Sequence, residues 1–190
     1  MKKTFLATIC LFAGMSIYAQ QIDVQPVPQK VIPATQTIKL TGTYLLNGIN
    51  DANPFAAEAL KTILGTSESM KGGMKVFIGE RGDKAVSKYK KFIPAQAEGY
   101  FVRISPKEIV LAGYDERGTY YAVQTFRQLI ENGQVPVTEI TDWPDIRFRG
   151  VVEGFYGTPW SHQARLRHLK FYGENKMNTY IYGPKDDPYH

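Results

Sequence analysis

The segment from Arg147 to Tyr182 leaves the chain few ways to fold. A short β-branched run, Val151-Val152, leads into Gly154 and Gly157, a long stretch at helical spacing follows, and a second strand-forming run occupies Asn178 to Tyr182. Strand, helix and strand in that order make a βαβ unit. Polar residues and glycines gather just after each strand, where open sheets and closed barrels of this class place their ligand sites. Chemistry is therefore sought at those two strand ends.

Alternation along Arg147 to Gly154 puts Phe148, Gly150, Val152 and Gly154 on one face and Arg147, Arg149, Val151 and Glu153 on the other. Two glycines on one face leave space. At the end of the strand, Gly154 either lets a ligand approach the backbone closely or merely permits a bend. Ser161, after Thr158-Pro159-Trp160, is the expected N-cap of the helix. Leu166, Leu169, Phe171, Tyr172 and Met177 form its expected apolar side, and Arg165, Arg167 and Lys170 its wet side. His162 and His168 do not share a helical face, which argues against a joint metal site.

The second strand delivers Tyr182-Gly183-Pro184-Lys185-Asp186-Asp187-Pro188-Tyr189 to the same end as Gly154. Lys185 is a charged donor suited to sugar hydroxyls, and the face of Tyr156 is suited to a pyranose ring. Asp186 and Asp187 admit two readings, a general-acid pair of a glycosidase or a pair that orients Lys185 and caps backbone amides. The second is favoured for adjacent residues of one loop. Metal ligation by Asp186, Asp187 and His190 is weaker still, and no metal or cofactor is expected.

Upstream of Trp143-Pro144 the pattern is α+β. Ile22 to Lys30, with Pro26 and Pro28, reads as an extended arm or edge strand, and Thr37 to Leu40 with Thr43 to Leu46 as a pair of short strands. Asn53-Pro54 opens a helix that Gly65 ends. Met74 to Gly79 is a strand, Lys84 to Phe92 a short helix, and Tyr100 to Ile104 and Glu108 to Ala112 a hairpin about Ser105-Pro106-Lys107. Asp115 begins the strongest helix, expected to run to Asn132-Gly133 with Tyr120, Tyr121, Phe126 and Ile130 against the sheet, and Val137 to Thr141 adds a strand. Gly79-Glu80-Arg81-Gly82 has neither the spacing nor the lysine of a phosphate loop. This layer reads as a non-catalytic support domain.

The first residues differ from the rest. Lys2-Lys3, an apolar run from Phe5 to Met15 and Ser16-Ile17-Tyr18-Ala19 before Gln20 make a cleavable secretory leader over residues 1–19. The run is shorter than the roughly 20 apolar residues a membrane-spanning helix needs, so no membrane association is expected after cleavage. Cys10 is the only cysteine; Ile9 before it argues against a lipid-attachment box, and cleavage leaves no disulfide chemistry. A secreted or periplasmic protein is expected. The net charge of +5 is scattered, and the Lys84, Lys88, Lys90 and Lys91 run reads as a solvated face and not as a nucleic-acid surface.

With these residues in view, Val152-Glu153-Gly154-Phe155-Tyr156-Gly157-Thr158-Pro159-Trp160 and Tyr182 to His190 resemble the opening of the catalytic barrel of glycoside hydrolase family 84, the bacterial β-N-acetylglucosaminidases related to animal O-GlcNAcase. Asp115 to Thr125 is similar to a helix of the support domain shared with family 20 hexosaminidases. The resemblance implies residues 20–144 as an α+β support domain and residues 145–190 as the first βαβ segment of an incomplete (β/α)8 TIM barrel. It implies retaining, substrate-assisted hydrolysis of terminal β-linked N-acetylglucosamine on a glycan or glycoprotein. Gly154 and Lys185 would bind sugar hydroxyls and Tyr156 would line the pocket. The family's catalytic aspartate pair follows a later strand, so it is expected beyond His190 and Asp186-Asp187 is not that pair. A barrel takes about 250 residues, so a chain ending at His190 is expected to be inactive alone. A family 20-type hexosaminidase and a non-catalytic carbohydrate-binding fragment are the alternatives.

Overall fold

The structure, a computed structural model, describes residues 22–32, 36–40, 42–66, 73–154 and 158–183. The expected leader, residues 1–19, lies outside them. In chain order the elements are β1 (Lys30–Ile32), β2 (Thr37–Lys39), β3 (Tyr44–Asn47), α1 (Pro54–Leu64), β4 (Met74–Glu80), a 3₁₀ segment (Lys84–Tyr89), β5 (Tyr100–Ile104), β6 (Glu108–Gly113), α2 (Glu116–Gln128), β7 (Gln134–Pro136), β8 (Thr138–Asp142), β9 (Gly150–Val152), α3 (His162–Glu174) and β10 (Thr179–Ile181).

Six strands form one mixed sheet in the order β1-β8-β5-β6-β4-β3. The pairs β3–β4 and β4–β6 are parallel, and the other three pairs are antiparallel. The hairpin β5–β6 forms at the expected turn, where the Ser105 hydroxyl donates to the Glu108 carbonyl at 3.0 Å and accepts the Glu108 amide at 3.1 Å. Helices α1 and α2 cover one face and bury Ala56, Leu60, Ala122, Val123 and Phe126 against Val76, Ile78, Val102, Ile109, Leu111 and Ile140. Each large side chain so buried contributes about 1.5–3 kcal/mol. On the other face Val86 and Tyr89 of the 3₁₀ segment, with Ile93 after it, cluster with Phe101, Val110 and Ala112. The α+β layer is thus closed on both sides.

The helix boundaries follow local chemistry. Asn53 accepts the Phe55 and Ala56 amides at 3.0 and 3.1 Å, Pro54 takes the first helical position, and Gly65 closes α1 at φ +64°. Asp115 caps α2 by accepting the Gly118 amide at 2.9 Å.

Three expectations change. The runs before and after Gly42 do not pair with each other: β2 pairs with β7, and β3 pairs with β4 inside the main sheet. Tyr44 and Leu46 are buried whereas Thr37 and Lys39 are exposed, so the two strands need different surroundings. Helix α2 ends at Gln128, short of Asn132-Gly133. Those two residues, at φ +50° and +73°, instead turn the chain between Glu131 and Gln134, the conformation an Asn-Gly hairpin turn requires. The lysine-rich stretch is a 3₁₀ segment that ends at Tyr89 and not a helix to Phe92.

Strands β9 and β10 pair in parallel, Gly150 opposite Thr179 and Val152 opposite Ile181, with α3 as the crossover. This βαβ unit meets the α+β layer across a polar seam. Glu98, 7% exposed, receives the Arg149 guanidinium at 2.5 Å, the Asn178 amide at 2.9 Å and Arg117 at 3.1 Å. Lys176, 5% exposed, donates to the Tyr100 hydroxyl at 2.8 Å and stands 3.9 Å from the Asp142 carboxylate. The Tyr100 hydroxyl in turn donates to Asp142 and accepts from Thr125, both at 2.7 Å. Glu98 and Lys176 are both at positive φ, +62° and +61°, so the seam is also where non-glycine backbone strain sits.

Candidate sugar-binding strand end

The chain leaves the β9–β10 ladder at Glu153, whose amide donates to the Ile181 carbonyl at 2.9 Å. Gly154 is therefore the first residue past the ladder. It is exposed, and a Cβ added there would meet nothing within 4 Å. Space at this position is available to a ligand. Gly150, on the same face, behaves differently: a Cβ there would lie 1.6 Å from the Thr179 carbonyl oxygen. Its glycine serves close strand approach, so only one of the two glycines leaves room for a ligand. Lys185 and Tyr156 lie outside the described residues, as do Asp186, Asp187 and His190.

The other face of the strand carries a group that alternation left without a role. Glu153 is 2% exposed. Its carboxylate receives Arg165 through Nε and Nη2, each at 2.8 Å, the Trp160 amide at 3.0 Å, and the Tyr180 hydroxyl. The Arg165 guanidinium holds the Glu153 carboxyl down at about 2 against the opposing effect of burial, helped by Tyr180 and the Trp160 amide. Arg165 is raised in return by Glu153, and Tyr180 is pushed up to about 12 by burial and by the adjacent carboxylate. A carboxylate so paired stays ionised at neutral pH and does not serve as a general acid.

Arg165 thereby corrects the expected division of α3. It turns inward to Glu153, with its guanidinium 4.8 Å from the centroid of Tyr182, while Leu166, Leu169 and Phe171 are exposed. The partly buried side of α3 is thus shared by the ion-paired Arg165 with His168 and Tyr172. Ser161 caps α3 as expected, accepting the Ala164 amide at 3.3 Å. Trp160 lies edge-on to His168 with ring centroids 4.4 Å apart, so His168 belongs to an aromatic stack. Among the described residues no group of three or more His, Cys, Asp or Glu side chains is arranged to hold a metal ion, and no helix is long and apolar enough to cross a membrane.

Comparison with known proteins divides the chain at the same seam. The family described as glycosyl hydrolase family 20, domain 2, matches residues 21–143, and the family described as beta-N-acetylglucosaminidase matches residues 149–190. Protein O-GlcNAcase of Rattus norvegicus and that of Mus musculus are each 49% identical over 41 residues, which span 22% of this chain and 4% of theirs. Among solved structures, CpGH84B is similar at TM-score 0.80 and 33% identity over 90% of this chain and 31% of its own. CpGH84D is similar at TM-score 0.77 and 24% identity, over 90% of this chain and 32% of its own. A beta-N-acetylhexosaminidase from Bacteroides fragilis, at TM-score 0.64 and 21% identity over 84% of this chain and 32% of its own, shares the fold. The chain thus spans about a third of these solved proteins.

Proposed function

Because this chain belongs to the family described as glycosyl hydrolase family 20, domain 2, and matches the N-terminal portion of glycoside hydrolase family 84 proteins, we propose that it forms the first part of a β-N-acetylglucosaminidase acting on terminal β-linked N-acetylglucosamine. The observation that carries this reading is the coincidence of the beta-N-acetylglucosaminidase match, residues 149–190, with the βαβ unit whose strand end opens at Gly154. The α+β layer supports that unit through the seam, and the unit is the start of a (β/α)8 barrel.

In this reading Gly154 and Lys185 bind hydroxyls of the terminal sugar and Tyr156 lines the pocket. Hydrolysis proceeds with retention. The substrate's acetamide oxygen attacks the anomeric carbon to form an oxazoline as the glycosidic bond breaks, one carboxylate orients the acetamide, and its neighbour protonates the leaving oxygen. Glu153 is occupied by Arg165, and the family 84 resemblance puts the catalytic aspartate pair after a later strand than the one preceding Asp186-Asp187, so both carboxylates are expected in sequence following His190. Residues 1–19 direct export, and the exported protein starts at Gln20.

Two lengths of the chain test this. Residues 20–190 are expected to release no nitrophenol from the aryl β-N-acetylglucosaminide, whereas a chain continued to the length of the solved relatives turns it over and yields the β-anomer first by proton NMR. Turnover by residues 20–190 overturns the placement of the catalytic carboxylates. A continued chain that is inactive, or that yields the α-anomer first, overturns the activity or its stereochemistry.

A further inference from the structure

We infer that Glu153 is a positioning residue for the sugar-binding strand end: its buried carboxylate fastens β9, β10 and the start of α3 together behind Gly154, and so fixes where the Gly154 backbone meets a sugar. The inference rests on the reading of Gly154 as a sugar contact.

The geometry assigns the role. Four donors converge on two oxygens: two from the Arg165 guanidinium in α3, one from the Trp160 amide ahead of α3, and one from the Tyr180 hydroxyl in β10. Strand, crossover helix and returning strand are thereby tied at one point. The segment containing Gly154 leaves the ladder at Glu153, and by Trp160 the chain has returned to the same carboxylate. Both ends of that segment are held by one side chain.

An apolar residue at this position would fill the same volume without direction. The carboxylate instead sets a distance and an angle, because a bidentate guanidinium pair is planar and tolerates little rotation. Arg165 is itself placed by α3, where its amide donates to the Ser161 carbonyl at 3.0 Å and Ser161 caps the first turn. The orientation of the helix start therefore passes through Arg165 to Glu153, and through one peptide bond to Gly154. Glu153 touches no sugar in this arrangement, since its side chain lies on the face opposite the open one.

The test uses the 190-residue chain, isotopically labelled, titrated with N-acetylglucosamine to tens of millimolar and read by amide NMR. In the wild type the Gly154 amide shifts with added sugar. Glu153→Gln keeps an acceptor for the Trp160 amide and loses half of the guanidinium fork, and is expected to bind severalfold more weakly. Glu153→Ala is expected to show no sugar-dependent Gly154 shift while the amides of the six-stranded sheet keep their positions. Arg165→Lys, which retains the charge and loses the fork, must weaken the Gly154 response as well, and this variant decides the matter if Glu153→Ala does not fold. Variants that titrate Gly154 like the wild type overturn the positioning role. A wild-type Gly154 amide indifferent to sugar overturns the sugar-contact reading and this inference with it.

Discussion

Lys176 is a buried cation at the seam whose titration is shifted far from its ordinary value. Burial drives its ammonium down to about 8, against the favourable pull of Asp142. In the unfolded chain the same group titrates near 10.5. Between these values the unfolded state holds the proton and the folded state does not, so this group's contribution makes the fold more stable as pH rises through the window. The full effect is about 3 kcal/mol, of which about 2 kcal/mol falls between pH 7.5 and 9.5. Urea unfolding at pH 7.5 and 9.5 is expected to show a higher midpoint at the alkaline value, and Lys176→Met should remove most of that difference. Glu153 works with the opposite sign. Its folded value of about 2 lies below the ordinary 4.5, so its contribution is complete above pH 5 and is lost as pH falls toward 2; Glu153→Gln should flatten the acid limb of a thermal-melt series. Neither residue announces its role in sequence. A lysine just past a helix reads as solvated, and Glu153 between a valine and a glycine carries no periodic signal until Arg165 is known to face it. Gly154 drew attention because a glycine at a strand end has few uses, and the geometry separates its open position from the close strand approach at Gly150.

Elements were more legible than partners. The caps at Asn53, Asp115 and Ser161 stand where the residue types put them, because an N-cap is decided by atoms within three residues. Asn53→Ala is expected to lower the unfolding free energy by about 1 kcal/mol, read from the denaturant midpoint at constant slope. Strand pairing is decided by distant residues instead. Nothing in Thr37 to Leu46 reveals that its first half will meet Val135 while its second half meets Val76. The inward turn of Arg165 was hidden for the same reason, since its partner lies on another element. At Gly150 the two scales meet. Gly150→Ala would force a methyl group into the Thr179 carbonyl, and loss of protection of the Glu153 amide in hydrogen exchange is the expected readout of a separated β9–β10 pair.

At the scale of the whole molecule, the α+β layer and the βαβ unit are joined by ions more than by apolar packing. Glu98 alone engages Arg149 and Asn178 from one side and Arg117 from the other. Removing it leaves Arg149 without its carboxylate in a mostly buried site, at a cost of about 3 kcal/mol. Glu98→Ala is expected to expose the connection near residues 143–149 to limited proteolysis while the six-stranded sheet resists. Equal resistance of variant and wild type would show that the seam contributes little. The sequence pattern changes at Trp143-Pro144, but it does not reveal the buried charges that meet across the seam, because each belongs to a segment with no distinctive pattern of its own.

The pairing of β1 with β8 also sets a schedule. Lys30 faces Thr141 across the sheet, so the first strand of the layer waits for the last before its edge is covered. On a translating ribosome adding about 5–20 residues per second, that interval is on the order of ten seconds. During it the β5–β6 hairpin and α2 can already assemble on β4, since all three precede β8. Arg149 and Lys176 emerge later still than Glu98, Tyr100 and Asp142, the residues they meet across the seam. Every contact that joins the βαβ unit to the layer through these two residues is thus among the last the chain can make.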